Sequence, residues 1–129
     1  MSKIKKVAVI GTGVIGTGWI IRCLAHNKIV FAYDKNLGLK KSIILEIKRT
    51  WPYVKKLFNK KKLNLNNFKF SSSIKEALNN AEFIIECAPE NYSIKKKTIK
   101  HYWQIRKKKF NNIFKFIWLV TNQDLFKMF

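Results

Sequence analysis

The order of residues from Lys5 to Gly16 constrains this chain more than any other feature. Lys5 to Ile10 (KKVAVI) is a short β-branched run without alternation, the pattern of a strand covered on both faces of a parallel sheet. It runs directly into Gly11-Thr12-Gly13-Val14-Ile15-Gly16, a GxGxxG sequence, and from Val14 to about Ala25 the apolar residues recur at helical spacing. Glycines by themselves are common in turns. Between a strand and a helix they acquire separate tasks: Gly11 permits a tight turn, Gly13 lets the backbone approach a pyrophosphate, and Gly16 allows close helix–strand packing. The N-terminus of the helix then offers free N–H groups and a favourable dipole to phosphates.

Ile29 to Tyr33 (IVFAY) reads as a second buried strand and ends at Asp34, 18 residues after Gly16. An acidic side chain there hydrogen-bonds the adenosine ribose hydroxyl and repels a 2′-phosphate, which selects NAD over NADP. Lys35, next along, softens that exclusion. The cofactor-contacting set expected from the motif is Gly11, Thr12, Gly13, Val14, Ile15, Gly16 and Asp34. A glycine-rich turn followed by an incidental aspartate is the bland alternative, and it explains less of this order.

Leu39 to about Phe58 has helical periodicity with lysines outward, and Trp51-Pro52 is expected to break or bend it. Lys60 to Asn67 reads as a loop and Phe68 to Phe70 as a brief strand. Ser73 and Glu76 fit a capping box that opens a short helix ending near Asn79-Asn80. Glu82 to Cys87 (EFIIEC) is a further strand, stopped by Ala88-Pro89. Ser93 fits the cap of a helix running to about Trp103, and a last strand fits between Ile113 and Val120. This alternation predicts an α/β fold: a Rossmann-type, doubly wound parallel sheet.

Composition decides what the chain is not expected to be. Its formal net charge is +20, which invites a polyanion partner, yet of 27 basic residues only Arg22, Arg49 and Arg106 are arginine. Nucleic-acid readers favour Arg for its planar, bidentate fork. Lysine rises here together with Asn, Ile and Phe, the signature of an A- and T-rich codon bias, so no specific nucleic-acid partner is expected. A weak, salt-sensitive affinity for polyanions follows from the charge in any case. Lys3, Lys5 and Lys6 before the apolar run to Ile21 imitate a signal peptide, but four glycines interrupt the run and Arg22 ends it. Cys23 and Cys87 stand alone, as buried reduced thiols of a cytoplasmic protein do. No membrane partner and no metal site are expected.

With these residues in view, the sequence resembles the NAD-binding domain of the 3-hydroxyacyl-CoA dehydrogenase family, closest to its L-carnitine dehydrogenase branch. The resemblance is carried by VAVIGTGVIGTGW (Val7 to Trp19), Arg22 to Ala25, Ala32 to Asp34, Trp51-Pro52 and AEFIIECAPEN (Ala81 to Asn91), within residues 4 to 106. It implies NAD as cofactor, with Glu90 and Lys95 beside the nicotinamide half. It also implies a 3-hydroxyacyl-CoA or an L-carnitine-like 3-hydroxy acid as the substrate oxidised to a keto compound, and a dimer formed through a helical second domain.

The departures bear on activity. Where the family has a strand ending in a serine-containing turn, this chain reads Phe114 to Leu119. The family's general acid–base histidine, its acidic partner and the helical domain cannot be placed. His101 lies upstream of where that histidine belongs, and it reads, like His26, as a helix-surface or helix-end residue. The expected organisation is a Rossmann domain over residues 1–107, incomplete at its C-terminus and without the helical second domain. Residues 108–129 are expected to be a divergent tail, of the kind a frameshift in the Lys107 to Lys109 tract would leave. No catalytic residue is assigned, and no useful dehydrogenase activity is expected of this chain alone. The alternatives are a non-catalytic nucleotide-binding remnant or one half of a split enzyme, and, with less support, a basic polyanion-binding protein.

Overall fold

The computed structural model describes residues 4–59, 62–87, 96, 100, 104 and 116–118. Its first strand, β1 (Lys6–Ile10), is buried from Val7 onward, as an unbroken apolar run requires. The N–H groups of Lys5 and Lys6, at its start, both donate to Glu82 Oε2, at 2.7 and 3.2 Å. Helix α1 (Val14–Ala25) follows, and β2 (Ile29–Tyr33) returns parallel to β1 with Lys6 opposite Ile29 and Ile10 opposite Tyr33. Between them Asn27 takes a left-handed φ of 56°, a conformation that Asn tolerates just past a helix end.

Helix α2 (Lys40–Phe58), strand β3 (Phe68–Phe70), helix α3 (Ile74–Asn80) and strands β4 (Phe83–Glu86) and β5 (Phe116–Trp118) complete the described elements. The strand order is β3-β2-β1-β4-β5, and every pairing is parallel. The chain first winds outward from β1 to β3 and then crosses back to β4 on the other side of β1. That reversal opens a crevice at the C-terminal ends of β1 and β4, where ligands bind in open α/β sheets. The expected doubly wound parallel sheet is therefore the observed one.

Two cores flank the sheet. Val7, Val9, Val30, Ala32, Phe68 and Ile85 pack on one face with Ile20 and Leu24 of α1 and with Ile43, Ile47, Trp51 and Val54 of α2. Ala8, Ile10 and Ile84 face the other way, against Ala77 and Leu78 of α3. Alternate residues of a strand point to opposite faces, so β1 serves both cores. On the α3 side β2 is less covered: Phe31 and Tyr33 are only half-buried, so this strand is not buried on both faces as its sequence suggests.

Three local expectations need correction. Of the break or bend expected at Trp51-Pro52, the break does not occur: helix α2 continues six residues beyond Pro52 to Phe58, the end its periodicity predicts. Proline removes one backbone donor and crowds the preceding turn; here the buried stripe Ile43, Ile47, Trp51, Val54 carries across it and holds both halves on one core. The loop from Lys60 to Asn67 contains a 3-10 turn at Leu65–Asn67. The capping box is shifted as well. Ser73 Oγ accepts from Glu76 N–H at 3.1 Å, as expected, but Glu76 Oε2 reaches back to the N–H and hydroxyl of Ser72, each at 2.7 Å.

Strand β4 is one residue shorter than EFIIEC at each end, although the Glu82 N–H still donates to the Lys6 carbonyl and the Cys87 N–H to that of Ile10, at 2.9 and 2.7 Å. Strand β5 falls inside the expected Ile113 to Val120 window and pairs with β4, Phe83 opposite Phe116. Lys96, Lys100 and Gln104 are helical and exposed, in the stretch expected to form a helix, whereas Ser93, its expected cap, lies outside the described residues. Among the described residues no helix is long and apolar enough to cross a membrane.

Ile47 has no exposed surface and sits at the centre of the α2 stripe. Its truncation, Ile47→Ala, is expected to cost about 2–5 kcal/mol in urea denaturation. Leu57→Ala, at a position 79% exposed on the same helix, is expected to stay within about 0.5 kcal/mol.

Candidate functional site: the glycine turn at the sheet switch point

At the end of β1 the Gly11 N–H donates to the Tyr33 carbonyl of β2 at 2.8 Å, and Gly11 adopts a φ of 88°. A side chain is strained in that conformation, so glycine is required there. Five residues later Gly16 lies against the same turn. A Cβ built on Gly16 would stand 1.9 Å from the Gly11 carbonyl oxygen and 3.5 Å from Cys87 Cβ. The helix and the strand ends can meet this closely only because nothing is there. Gly13 is the opposite case: a Cβ added to it meets nothing within 4 Å, and its surroundings are open.

Gly13 is the N-cap of α1, and no side chain caps the helix. The first turn contains no acidic residue. Its leading N–H groups, which have no partner within a helix, therefore meet no carboxylate from the helix's own first turn. Val14 is 93% exposed and Ile15 42% exposed at this open end.

Asp34 follows β2 and is half-buried beside the turn. Its Oδ2 accepts from Thr12 N–H at 2.8 Å and from Thr12 Oγ1 at 2.9 Å, and its Oδ1 accepts from Asn36 N–H at 2.9 Å. Thr12 is buried, and its carbonyl accepts from the Thr17 hydroxyl at 3.0 Å. The structure thus brings together Gly11, Thr12, Gly13, Val14, Ile15, Gly16 and Asp34. Thr12 turns its side chain inward to Asp34 rather than out to the crevice. Glu90 and Lys95 lie outside the described residues.

Some participants were not legible beforehand. Thr17 and Asn36 act through bonds to the turn that no spacing rule announces. Glu86, 1% exposed, is buried at the end of β4 opposite Ile10; an acid after the apolar run Phe83 to Ile85 was the only signal for it. Its charge and, more strongly, burial push the adjacent Cys87 thiol up to about 12, with a smaller contribution from Cys23. Burial likewise pushes Cys23 up to about 11 against the pull of Lys28 and Arg22. A groove along α2, lined by Lys48, Trp51, Pro52, Lys55, Lys56 and Leu63, shares no residue with this turn.

The 3-hydroxyacyl-CoA dehydrogenase NAD-binding domain matches this sequence over residues 6–110. The chain belongs to that family. The L-carnitine dehydrogenase of Oceanobacillus iheyensis is 44% identical over 96 residues, which are 74% of this chain and 31% of that protein. The one from Staphylococcus epidermidis is 38% identical over 95 residues, 74% of this chain and 30% of its own length. The chain thus spans about a third of the curated relatives it matches. Among solved structures, (S)-3-hydroxybutyryl-CoA dehydrogenase from Ralstonia eutropha superposes with a TM-score of 0.64, at 24% identity over 80% of this chain and 38% of that one. That likeness is one of fold. As an NAD-binding domain of the 3-hydroxyacyl-CoA dehydrogenase family, the chain has NAD as its cofactor. The uncapped helix start and the open space over Gly13 fit a dinucleotide pyrophosphate.

Two expected outcomes follow from this geometry. Gly16→Ala should lose more than about 3 kcal/mol of stability or fail to fold, since backbone must move, whereas Gly13→Ala should stay within about 1 kcal/mol in the same denaturation series. Both thiol values are raised from an ordinary 9.0. The stability this contributes is complete below about pH 9 and is lost as pH rises towards 11 to 12, so urea midpoints should fall over that window. A chain with both cysteines replaced by alanine should lose that part of the slope.

Proposed function

We propose that this chain is the cofactor half of an NAD-dependent dehydrogenase that oxidises a 3-hydroxy acid, L-carnitine or a 3-hydroxyacyl-CoA, to its 3-keto product. The observation that carries the reading is the pairing of an uncapped, acid-free helix start at Gly13 with the Asp34 carboxylate across the turn. In this reading the N–H groups of the first α1 turn, from Val14, Ile15 and Gly16, bind the pyrophosphate, Gly13 leaves it room, and Asp34 accepts from the adenosine ribose. Gly11 and Thr12 hold the turn in shape. Glu90 and Lys95, past the C-terminal end of β4, would flank the nicotinamide half. When bound there, NAD supplies a hydride acceptor for the substrate's carbinol carbon.

The base for that oxidation is not His26. It lies at the far end of α1, edge-on to Phe58 with ring centroids 5.0 Å apart, about 18 Å along the helix from Gly13. The proton must go to a group outside the described site, so substrate turnover requires more protein than the turn provides. The L-carnitine dehydrogenases among the relatives place L-carnitine first among substrates to try.

Calorimetry on the purified chain tests the cofactor assignment. NAD should bind saturably and NADP at least about tenfold more weakly, and Asp34→Ala should reduce the preference to about twofold. Gly13→Ala should weaken NAD while leaving the fold intact. A folded chain indifferent to NAD, or one whose preference survives Asp34→Ala, would remove the reading.

A further inference from the structure

Asp34 is hydrogen-bonded unequally. Its Oδ2 takes two donors, the Thr12 N–H at 2.8 Å and the Thr12 hydroxyl at 2.9 Å, which fills the two acceptor directions of one carboxylate oxygen. Its Oδ1 takes one, the Asn36 N–H at 2.9 Å, and so retains a lone pair. Thr12 is itself held: it is 5% exposed, and its carbonyl accepts from the Thr17 hydroxyl at 3.0 Å. With so little access to water, the Thr12 hydroxyl has its donor bond in Asp34.

We infer that Thr12 is a positioning residue for cofactor selection: by saturating Oδ2 of Asp34 it fixes the carboxylate so that Oδ1 faces the adenosine ribose. The inference rests on the assignment of Asp34 to that ribose and adds the device that orients it. A surface aspartate could rotate away from a 2′-phosphate or turn both oxygens to water. One clamped by two donors from the turn cannot, so it is already arranged to accept from a diol and to repel a phosphate before either arrives. The clamp also explains why the side chain at the second position of the motif points inward.

The test is calorimetry with NAD and NADP on the whole chain, with circular dichroism to establish folding. Thr12→Val keeps the shape and removes the hydroxyl; it should weaken NAD about tenfold and leave NADP within about twofold, which lowers selectivity. Thr12→Ser restores the donor and should stay within about twofold of the parent chain. In an Asp34→Ala background Thr12→Val should change NAD affinity by less than about twofold, because the partner of the hydroxyl is gone.

A folded Thr12→Val chain with parental NAD affinity overturns the inference. So does a Thr12→Ser loss as large as the valine loss, or a valine effect that persists without Asp34; each would make the role one of packing. Amide exchange gives a readout needing no change at Thr12: its N–H should exchange at least about tenfold faster in Asp34→Ala, and an unchanged rate overturns the inference. A folded parent chain that binds no NAD removes the assignment of Asp34 and this inference together. NAD binding that depends on Asp34 but not on the Thr12 hydroxyl removes the inference alone.

Discussion

The close approach of Gly16 to the Gly11 carbonyl is the contact on which the site depends. Packing of α1 over β1 and β4 is driven by apolar burial, which is not directional and would accept several helix positions. What selects one is steric. With no Cβ at Gly16 the helix start settles onto the turn, against Gly11 and close to Cys87, at a separation no other residue allows. The leading N–H groups of α1 then stand at the crevice between β1 and β4, and the sheet's change of winding leaves that crevice open. A helix displaced outward by one methyl group would still bury Ile20 and Leu24 in part, but it would no longer aim its end at the same place.

The turn is tied to β2 as firmly as to α1. Gly11 bonds the last carbonyl of β2, and Thr12 bonds the aspartate that follows it, so the glycine loop and Asp34 form one hydrogen-bonded piece. Asp34 closes the loop through Oδ2, and in the proposed role it presents Oδ1 to the ribose. In a chain of net charge +20 this placement of a single carboxylate matters. The surrounding lysine excess attracts any nucleotide, and discrimination between nucleotides has to come from short-range geometry rather than from the overall field.

Membership of the 3-hydroxyacyl-CoA dehydrogenase family accounts for the sheet order and for the glycine turn, and the matched region is about a third of each curated relative. The division between cofactor and substrate functions is physical. A parallel sheet offers its strand ends and helix starts to a dinucleotide, and the described elements here are of that kind. The one histidine among the described residues is engaged with Phe58 at the opposite end of α1, which keeps it out of any chemistry at the turn.

What the sequence determined by itself were the elements whose pattern is local. The bounds of α1, β2 and β3 agree with the periodicity of their residues, and the strand–glycine–helix order together with Asp34 gave the fold and the cofactor. The same local reasoning found the end of α2 at Phe58 but not that Pro52 would leave it unbroken, because the energy that carries α2 through it comes from Trp51 and Val54 meeting a core assembled from distant residues. It found the cap at Ser73 but not the reach of Glu76 to Ser72, and it could not foresee that the Glu82 carboxylate caps the start of β1. Above all, only the folded chain decided which way Thr12 points. Its partner is 22 residues away, and the two meet because parallel pairing of β1 with β2 brings their ends side by side. Spacing along the chain records which residues can form an element; which side chains then face each other is settled by packing, where contacts between remote residues outweigh local preference.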